Sequence, residues 1–337
     1  MIASVLIAAL AAYILFRTFQ HIRLADVLAG MRAVPGRALL TASACAAGAY
    51  LTLAAYEVVV VRHVKHCIGR AKPVITALIA FPLGHAVGQA MLSGGALRYR
   101  MYTPRGFSAM EVGATVLLCN LPYALGFSLI FDLALLFAAD HLEPLFRIPG
   151  RWLVLLGCLG LAKDAAYLLF IWYRKAPIRL GGWAVNLPTP RLTLLQIVVG
   201  LIDIGLVSSV LYVLLPESAR IAYLPFLAVY LASVFAGVLS HVPAGLGVLE
   251  SMLLLLLPQV PPAQLLASVL LYRVIYEIVP LLVAFALWAG YELLADDGAR
   301  IRLLRIGMPA ATASLAPGIT AQPRTTGAAS PSIDSTE

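Results

Sequence analysis

RLTLLQIVVGLIDIGLVSSVLYVLLP, residues 191–216, is an almost uninterrupted apolar run that is long enough to cross a membrane. A spanning helix needs about 20 mainly apolar residues. In hydrocarbon every backbone N–H and C=O must also find its partner within the helix. The stretch therefore predicts a transmembrane helix.

The remainder of the chain repeats this pattern on both sides of that run. Of the 337 residues, 61% are apolar and 12% are charged, and the mean hydropathy is +0.92. A soluble domain could not bury that much apolar surface. A hydropathy window predicts membrane helices at 2–19, 38–61, 73–92, 107–139, 151–173, 191–215, 222–241 and 262–292. The first of these lacks a basic start and a cleavage site, so it is predicted to be a membrane helix rather than a signal peptide.

One apolar piece is too short to span. Residues 246–257 lie between Pro243 and Pro258 and indicate a re-entrant or broken half-helix. A second polar interruption lies near residues 93–100, in the other half of the chain, as expected when two repeats each contribute a discontinuous helix. The sequence predicts an all-α, polytopic integral membrane protein with about eight transmembrane helices, plus the half-helix. An inverted-repeat architecture is compatible with it.

The net charge of +8 lies in the connections. Basic groups there are expected to face anionic headgroups, and no nucleic acid is expected as a partner. Loops 17–37, 98–105 and 174–191 hold more Lys and Arg than loops 62–72 and 140–151, which favours placing the first set in the cytoplasm. Residues 1–295 are predicted to form one transmembrane domain and residues 296–337 a short basic segment with a disordered tail. The expected location is the cytoplasmic (inner) membrane.

No cofactor is expected from the sequence. The four cysteines, Cys45, Cys67, Cys119 and Cys158, show neither metal-type spacing nor a disulfide pattern. A GxxxxGK[ST] loop, an HExxH helix and a GxSxG elbow are all absent from the sequence. Coupling to ATP within this chain is therefore not expected, and an intramembrane enzyme is disfavoured.

The first polar interruption is GHAVGQAMLSGGALRYR, residues 84–100. His85 and Gln89 share a helix face, and Gly94 and Gly95 are expected to let the helix break. Arginine forks match phosphate oxygens, so Arg98 and Arg100 would suit a lipid headgroup. The alternative is an ordinary interfacial loop with snorkelling arginines and a tyrosine anchor.

The second interruption is SHVPAGLGVLE, residues 240–250. Its proline and glycines make a continuous helix improbable, and a half-helix start offers free N–H groups to an anion. Glu250 has two interpretations. It caps its own helix, or it neutralises a cation such as Arg273 or a substrate amine.

Further polar residues at membrane depth give weaker signals. Arg273 and Glu277 have the spacing of an internal ion pair. Gln196 and Asp203 could face one cavity, with Gly200 between them permitting close helix approach. For each of these residues taken singly, a satisfied structural role is expected; the other members of the set are Glu57, Asn120, Asp132, Lys163 and Asp164.

Four stretches together resemble a known family. They are LSGGALRYRMY (92–102), the run at 191–216, LSHVPAGLGVLE (239–250) and LLYRVIYEIVPLL (270–282). In that order they look like the membrane domain of bifunctional lysylphosphatidylglycerol synthase/flippase proteins, the lysylphosphatidylglycerol synthase transmembrane-region family, over roughly residues 1–295. The resemblance implies a helical fold with internal pseudo-symmetry and the movement of aminoacylated or other phospholipids between leaflets.

The resemblance also implies a set of substrate-binding residues. The family's motifs fall on Gly94, Gly95, Arg98, Tyr99, Arg100, His241, Pro243, Gly245, Gly247, Glu250, Asp203, Tyr272 and Arg273. Ala244 stands where the family commonly has a second glycine. The soluble aminoacyl-transferase domain of the bifunctional proteins has no counterpart here, so the chain is not expected to synthesise the lipid.

The expected function is therefore a phospholipid translocase, with membrane phospholipids as its partners and no enzymatic activity. The alternative is an accessory protein that presents lipid intermediates to a separately encoded lipid-modifying enzyme. A homo-oligomer is a further expectation.

Overall fold

The computed structural model describes residues 23–64, 68–87, 90–173, 178–180, 183–185, 188–219 and 221–305. The predicted helix at 2–19, Gln89 and the predicted tail beyond residue 305 lie outside the described residues. The chain divides into two compact units, Met1–Leu287 and Trp288–Glu337. In the second unit, Trp288 Nε1 donates a hydrogen bond to Glu292 Oε1 at 2.9 Å.

Twelve α-helices and one short β-hairpin are present in the described residues. The helices are α1 (Leu24–Ala33), α2 (Gly36–Val64), α3 (Ala71–Val87), α4 (Ala90–Tyr102), α5 (Ala109–Phe137), α6 (Ala139–Phe146), α7 (Gly150–Tyr173), α8 (Pro190–Leu214), α9 (Tyr223–Ser240), α10 (Val248–Leu256), α11 (Pro262–Tyr272) and α12 (Val279–Arg305). A π-helical segment, Arg273–Ile278, joins α11 to α12. The strands β1 (Ile178–Leu180) and β2 (Trp183–Val185) pair antiparallel between α7 and α8.

Six helices of the described residues are long and apolar enough to cross a membrane. They are Gly36–Val64, Ala109–Phe137, Gly150–Tyr173, Pro190–Leu214, Tyr223–Ser240 and Pro262–Glu292. Each lies within a few residues of a predicted segment, which confirms the all-α polytopic membrane fold. The segment predicted at 73–92 is a shorter helix that ends at Val87.

Local sequence sets where the long helices begin. Ser108 caps α5 by accepting a hydrogen bond from the Glu111 N–H, while Glu111 Oε2 accepts one from the Ser108 N–H at 2.7 Å. Helix α8 begins with Thr189 as its cap and Pro190 in its first turn, where a missing N–H costs nothing. Both helices therefore have their first turns satisfied at the membrane boundary.

Two helical hairpins enter the bundle from opposite ends of α2. Hairpin α3–α4 begins and ends beside the C-terminal end of α2. There Val64, the last residue of α2, packs in one apolar cluster with Ile68, which precedes α3, and with Tyr102, the last residue of α4. Hairpin α9–α10 belongs to the other end: residues Pro35, Pro216 and Pro261 line one pocket of about 680 Å³ there. Helix α3 packs against Pro243–Gly245, the tip of the second hairpin. The first hairpin therefore contacts the tip of the second hairpin inside the bundle.

Helices α2, α8 and α9 are the most buried of the spans, and α5 packs closely against α8. Half of the apolar window of α2 and of α8 is buried, compared with 11% for α7. Helix α5 crosses α8 where Gly126 faces Gly200, with the Pro122 carbonyl also against Gly200. The predicted close approach at Gly200 is confirmed, because the two backbones touch where no side chain intervenes.

We expect Gly200→Ala to lower thermal stability, because the added Cβ would overlap the Pro122 carbonyl oxygen. Overpacking of this kind costs about 1–3 kcal/mol. Gly205→Ala is the matched control on the same helix, since nothing lies within 4 Å of a Cβ built there. Thermal unfolding in detergent measures both, and equal unfolding temperatures would contradict the crossing.

Candidate functional site

The break between α9 and α10 is built from left-handed backbone. His241 ends α9 with φ 55°, and Gly247 precedes α10 with φ 82°. Between them Pro243–Gly245 forms a 3₁₀ turn in which Ala244 has φ 52° and Gly245 has φ 59°. The predicted interruption is confirmed, and Ala244 occupies a conformation that glycine adopts at lower cost.

Glu250 fulfils two of the roles that the sequence left open. Its Oε2 accepts a hydrogen bond from the Gly247 N–H at 2.9 Å, so it caps α10. Its Oε1 accepts one from Arg273 Nε at 2.6 Å. The same carboxylate therefore starts the half-helix and joins it to the π segment.

Arg273 is the centre of this region. Its Nη1 donates to Glu277 Oε2 at 2.9 Å and to the Ala244 carbonyl at 3.1 Å. Its Nη2 lies 3.4 Å from the Gly245 carbonyl. Only 5% of the residue is exposed. The predicted Arg273–Glu277 ion pair is confirmed, and the guanidinium also holds the hairpin tip by two carbonyls that the break leaves outside regular helix.

Arg273 is the first residue of the π segment. A π-helical turn widens the helix and shifts the side chains that follow, and such turns occur frequently at functional sites. Here the wide turn carries both Arg273 and Glu277. The segment therefore places a cation and a carboxylate side by side at the tip of the second hairpin.

Aromatic side chains line the bundle beside this segment. The Tyr272 hydroxyl lies 2.9 Å from the Tyr230 hydroxyl, and the Tyr272 ring stacks on Tyr276 at 5.6 Å. The Tyr50 hydroxyl donates to the Tyr276 carbonyl at 3.0 Å, and the His85 ring lies 6.0 Å from the Tyr276 ring. The π segment is thus surrounded by hydroxyl-bearing rings from α2 and α9, and by an imidazole from α3.

Two buried polar side chains of α8 keep oxygen atoms without a hydrogen-bond partner. Asp203 is 4% exposed and Gln196 is fully buried. Asp203 Oδ1 and Gln196 Oε1 have no partner, although Gln196 Nε2 lies 3.5 Å from the Leu118 carbonyl. Burying an unpaired polar atom is costly, so these positions call for a functional explanation.

The first interruption differs from its prediction. Gly94 and Gly95 lie inside the continuous helix α4, and the preceding helix α3 ends at Val87. A Cβ at Gly94 would meet the Ala80 carbonyl oxygen at 3.3 Å. The glycine therefore serves the close packing of α4 on α3, and the expectation of a break at the glycine pair is wrong.

Arg98 is buried in a charge-balanced cluster. It is 1% exposed, and its Nε and Nη2 donate to Glu57 Oε1 and Oε2 at 2.9 and 2.7 Å. Tyr102 donates to the same carboxylate at 2.8 Å, and Phe81 lies under the guanidinium with 4.8 Å to the ring centroid. This two-pronged pairing occupies the fork that was predicted to hold a phosphate, so Arg98 ties α4 to α2.

Tyr99 and Arg100 are exposed on α4, whereas Arg98 points inward. The three predicted residues are therefore not brought together. In contrast, one region contains most of the predicted residues of the second interruption: Pro243, Gly245, Gly247, Glu250 and Arg273. Tyr272 is adjacent to Arg273 in the chain. Glu57 had only a weak signal in the sequence, as a single acid within an apolar helix.

A third polar group joins α5 to α7. Lys163 Nζ bonds to Ser128 Oγ and lies 2.9 Å from Asp164 Oδ1 and 3.7 Å from Asp132 Oδ2. Gly160 leaves the room that the Asp132 carboxyl occupies. The structural role expected for Asp132, Lys163 and Asp164 fits these contacts. Among the described side chains, no group of three or more His, Cys, Asp or Glu could hold a metal ion.

Ala244→Gly is expected to raise stability by up to about 1 kcal/mol, because glycine relieves the left-handed strain at φ 52°. Gly247→Ala should lower it by about 1–3 kcal/mol, since φ 82° and ψ −32° lie outside the regions open to alanine. Chemical unfolding in detergent measures both changes. Equal effects of the two substitutions would contradict the backbone assigned to the break.

Two known proteins are similar to this chain along most of its length. The uncharacterized protein slr0712 of Synechocystis sp. (strain ATCC 27184 / PCC 6803 / Kazusa) is 30% identical over 276 residues, which are 82% of this chain and 86% of that protein. The inner membrane protein YbhN of Escherichia coli (strain K12) is 25% identical over 274 residues, 79% of this chain and 82% of YbhN. No family model matches the chain. Six span-length helices occur in the part of the chain that the structure describes, and the chain is a multi-pass protein of the inner membrane.

Proposed function

This chain belongs to the family that includes slr0712 of Synechocystis, and we propose that it moves phospholipids between the two leaflets of the inner membrane. The resemblance of its motifs to the lysylphosphatidylglycerol synthase transmembrane-region family favours the same activity, with aminoacylated phosphatidylglycerol or a related lipid as cargo. We propose a transporter rather than an enzyme.

The observation that carries this proposal is the position of Arg273. Arg273 lies in the span Pro262–Glu292, directly after α11. At 1.5 Å per residue it is about 17 Å from the start of that span. A charged side chain at such depth is costly and typically marks a substrate or ion pathway. Its guanidinium has the planar fork that matches phosphate oxygens. The residue is thus suited to receive a lipid phosphate within the membrane.

The charges around Arg273 suit a headgroup that carries both signs. One guanidinium lies between the carboxylates of Glu250 and Glu277, which leaves one excess negative charge. The side chain of Glu277 is 22% exposed, compared with 10% for Glu250, so Glu277 is the more accessible partner. In the proposed cycle a lipid phosphate replaces Glu277 at Nη1, and Glu277 turns to the headgroup amine.

The hairpin tip would respond to that exchange. Arg273 holds the carbonyls of Ala244 and Gly245, so any movement of its guanidinium is transmitted to the break between α9 and α10. Helix α3 packs on the same tip from the opposite end of the bundle. Headgroup binding could therefore shift the contact between the two hairpins, as alternating access requires.

Purified protein in liposomes tests the proposal. Fluorescent phospholipids with ethanolamine, glycerol and aminoacyl-glycerol headgroups are added, and the fraction that a membrane-impermeant quencher can reach is followed in time. We expect faster exchange between leaflets than in empty liposomes. Arg191→Ala, a change at the exposed start of α8, should exchange lipid at the wild-type rate.

Lack of movement with every headgroup would reject translocation. If the protein then co-purifies with a lipid-modifying enzyme, the accessory role is supported instead. Release of a chemically modified lipid by the purified chain alone would contradict the proposal that it is not an enzyme.

A further inference from the structure

Asp203 is a carboxyl group in the middle of the membrane span. It lies about 20 Å from the start of α8, and it is 4% exposed. Its Oδ1 has no hydrogen-bond partner, and within the described residues Asp203 forms no ion pair. An ionised carboxylate without a partner is far too costly in such a place. The neutral acid is the form that this environment accepts.

Two helices pack against α8 on either side of Asp203: Gly48 of α2 faces Leu206, and Pro122 of α5 lies against Gly200. Tyr50 and Tyr123 follow these contact points in the chain, and the Tyr50 hydroxyl donates to the Tyr276 carbonyl of the π segment. These phenols supply polarity without a positive charge. These side chains therefore make the surroundings of Asp203 polar, but they do not balance the negative charge of an ionised carboxylate.

Three cations of the described spans are paired with carboxylates other than Asp203. Arg273 binds Glu250 and Glu277, Arg98 binds Glu57, and Lys163 binds Asp132 and Asp164. Each cation of the described spans that forms an ion pair thus has its own carboxylate. None of them is left to stabilise an ionised Asp203.

His85 presents a second unpartnered atom to the same tyrosines. Its buried Nδ1 has no hydrogen-bond partner, and its ring lies 6.4 Å from the Tyr50 ring and 6.0 Å from the Tyr276 ring. Tyr50 donates to the Tyr276 carbonyl between them. His85, two residues from the end of α3, therefore lies beside the tyrosine pair that begins on α2, the helix packed against α8.

The ligand that fits this site is a proton rather than a metal ion. The unpartnered oxygen of Gln196 lies two helical turns from Asp203, about 10.5 Å along the axis. Oxygen ligands of one cation lie about 2.3–2.6 Å from it, so these two oxygens cannot share an ion. A carboxylate and an imidazole each bind one proton reversibly.

We propose that Asp203 is a proton-binding site, with His85 as its relay partner, and that lipid movement is coupled to proton movement through it. This inference rests on the proposed lipid translocation. The carboxylate accepts a proton when the site opens to water on one side, crosses the closed state as a neutral acid, and returns the proton to water on the other side. Because the site lies beside the π segment, rearrangement at Arg273 would open and close it.

A spectroscopic test needs no transport activity. We expect the infrared spectrum of the purified protein in lipid nanodiscs to contain the C=O band of a protonated carboxyl, which disappears as the pH is raised. Asp203→Asn should remove that band. Asp164→Asn, which changes a carboxyl paired with Lys163, should leave it in place. A band that persists in Asp203→Asn, or no titrating band in the wild type, would overturn the proton site.

A second measurement tests the coupling. In liposomes with an imposed pH gradient, the wild-type rate of lipid movement should change about five-fold or more, the scale of a typical coupling free energy. Asp203→Asn should abolish this dependence, and His85→Gln should weaken it. Wild-type lipid movement that ignores the gradient would reject coupling but not translocation. A titrating Asp203 band without any lipid movement would reject translocation but leave the proton site standing.

Discussion

Replacement of Glu57 by leucine is expected to destabilise the protein by about 3–5 kcal/mol, the typical effect of removing one member of a buried ion pair. The side chains of Arg98 and Glu57 are 2% and 0% exposed, so the guanidinium left behind would have neither water nor a counter-charge. Tyr102 would lose its acceptor at the same time. We expect the variant to accumulate poorly in the membrane and to unfold at a lower temperature.

The double variant Glu57→Met with Arg98→Met separates charge balance from packing. With both charges absent no buried charge remains unpaired, and the Tyr102 hydroxyl alone of the cluster's polar side chains still lacks its acceptor. Apolar replacement of a whole buried pair is often neutral. The double variant should therefore recover most of the lost stability. Glu217→Ala is the matched control, because the Arg37–Glu217 pair spans 3.9 Å at the surface with side chains 84% and 95% exposed. The single variants Glu57→Met and Arg98→Met complete the comparison. If the stability lost in the double variant equals the sum of their two losses, the buried pair is contradicted.

This ion pair also marks the limit of what the sequence could predict. The six spans follow from length and hydropathy, which are local properties of the chain. Arg273 and Glu277 are four residues apart, so their pairing could be read from helical spacing. Glu57 and Arg98 are 41 residues apart and lie on different helices. Their contact depends on how α4 folds back against α2, which no local pattern encodes.

The glycine pair shows the same limit. Gly94 and Gly95 were interpreted as a break because glycine weakens helices. In a membrane bundle, however, glycine also lets helices touch, and Gly94 packs against the Ala80 carbonyl. At residues 241–247 the prediction succeeded because proline and glycine occur together there, and positive φ at three residues from Ala244 to Gly247 requires such a sequence.

The two hairpins share one principle of construction. The returning helix α4 is tied to α2 through Arg98 and Glu57, and the returning helix α10 is tied to the π segment through Glu250 and Arg273. The first pair is sealed, with an exposure of 2% or less on both side chains. The second includes the 22% exposed Glu277 and the carbonyls of an irregular turn. At the second hairpin, therefore, a lipid headgroup can replace one of the partners of Arg273.

Arg273→Lys is expected to reduce lipid movement by about 10- to 100-fold. Lysine keeps the charge but lacks the planar fork, so it cannot hold Glu250, Glu277 and the Ala244 carbonyl together as the guanidinium does. Loss of one charge-assisted hydrogen bond costs about 1.5–3 kcal/mol, and about 1.4 kcal/mol corresponds to a tenfold change. Arg191→Lys, at the exposed start of α8, should have no effect in the same liposome assay.

Glu277→Gln distinguishes a binding role of this centre from a merely structural one. The amide keeps nearly the same shape and leaves the Glu250 contacts with Gly247 and Arg273 in place, so thermal unfolding should stay close to that of the wild type. If Glu277 receives the headgroup amine, the variant should slow ethanolamine and aminoacyl lipids more than phosphatidylglycerol. Uniform slowing of all lipids together with a lowered unfolding temperature would instead assign Glu277 to the fold alone. Unchanged lipid movement in both Arg273→Lys and Glu277→Gln would remove this centre from the transport pathway.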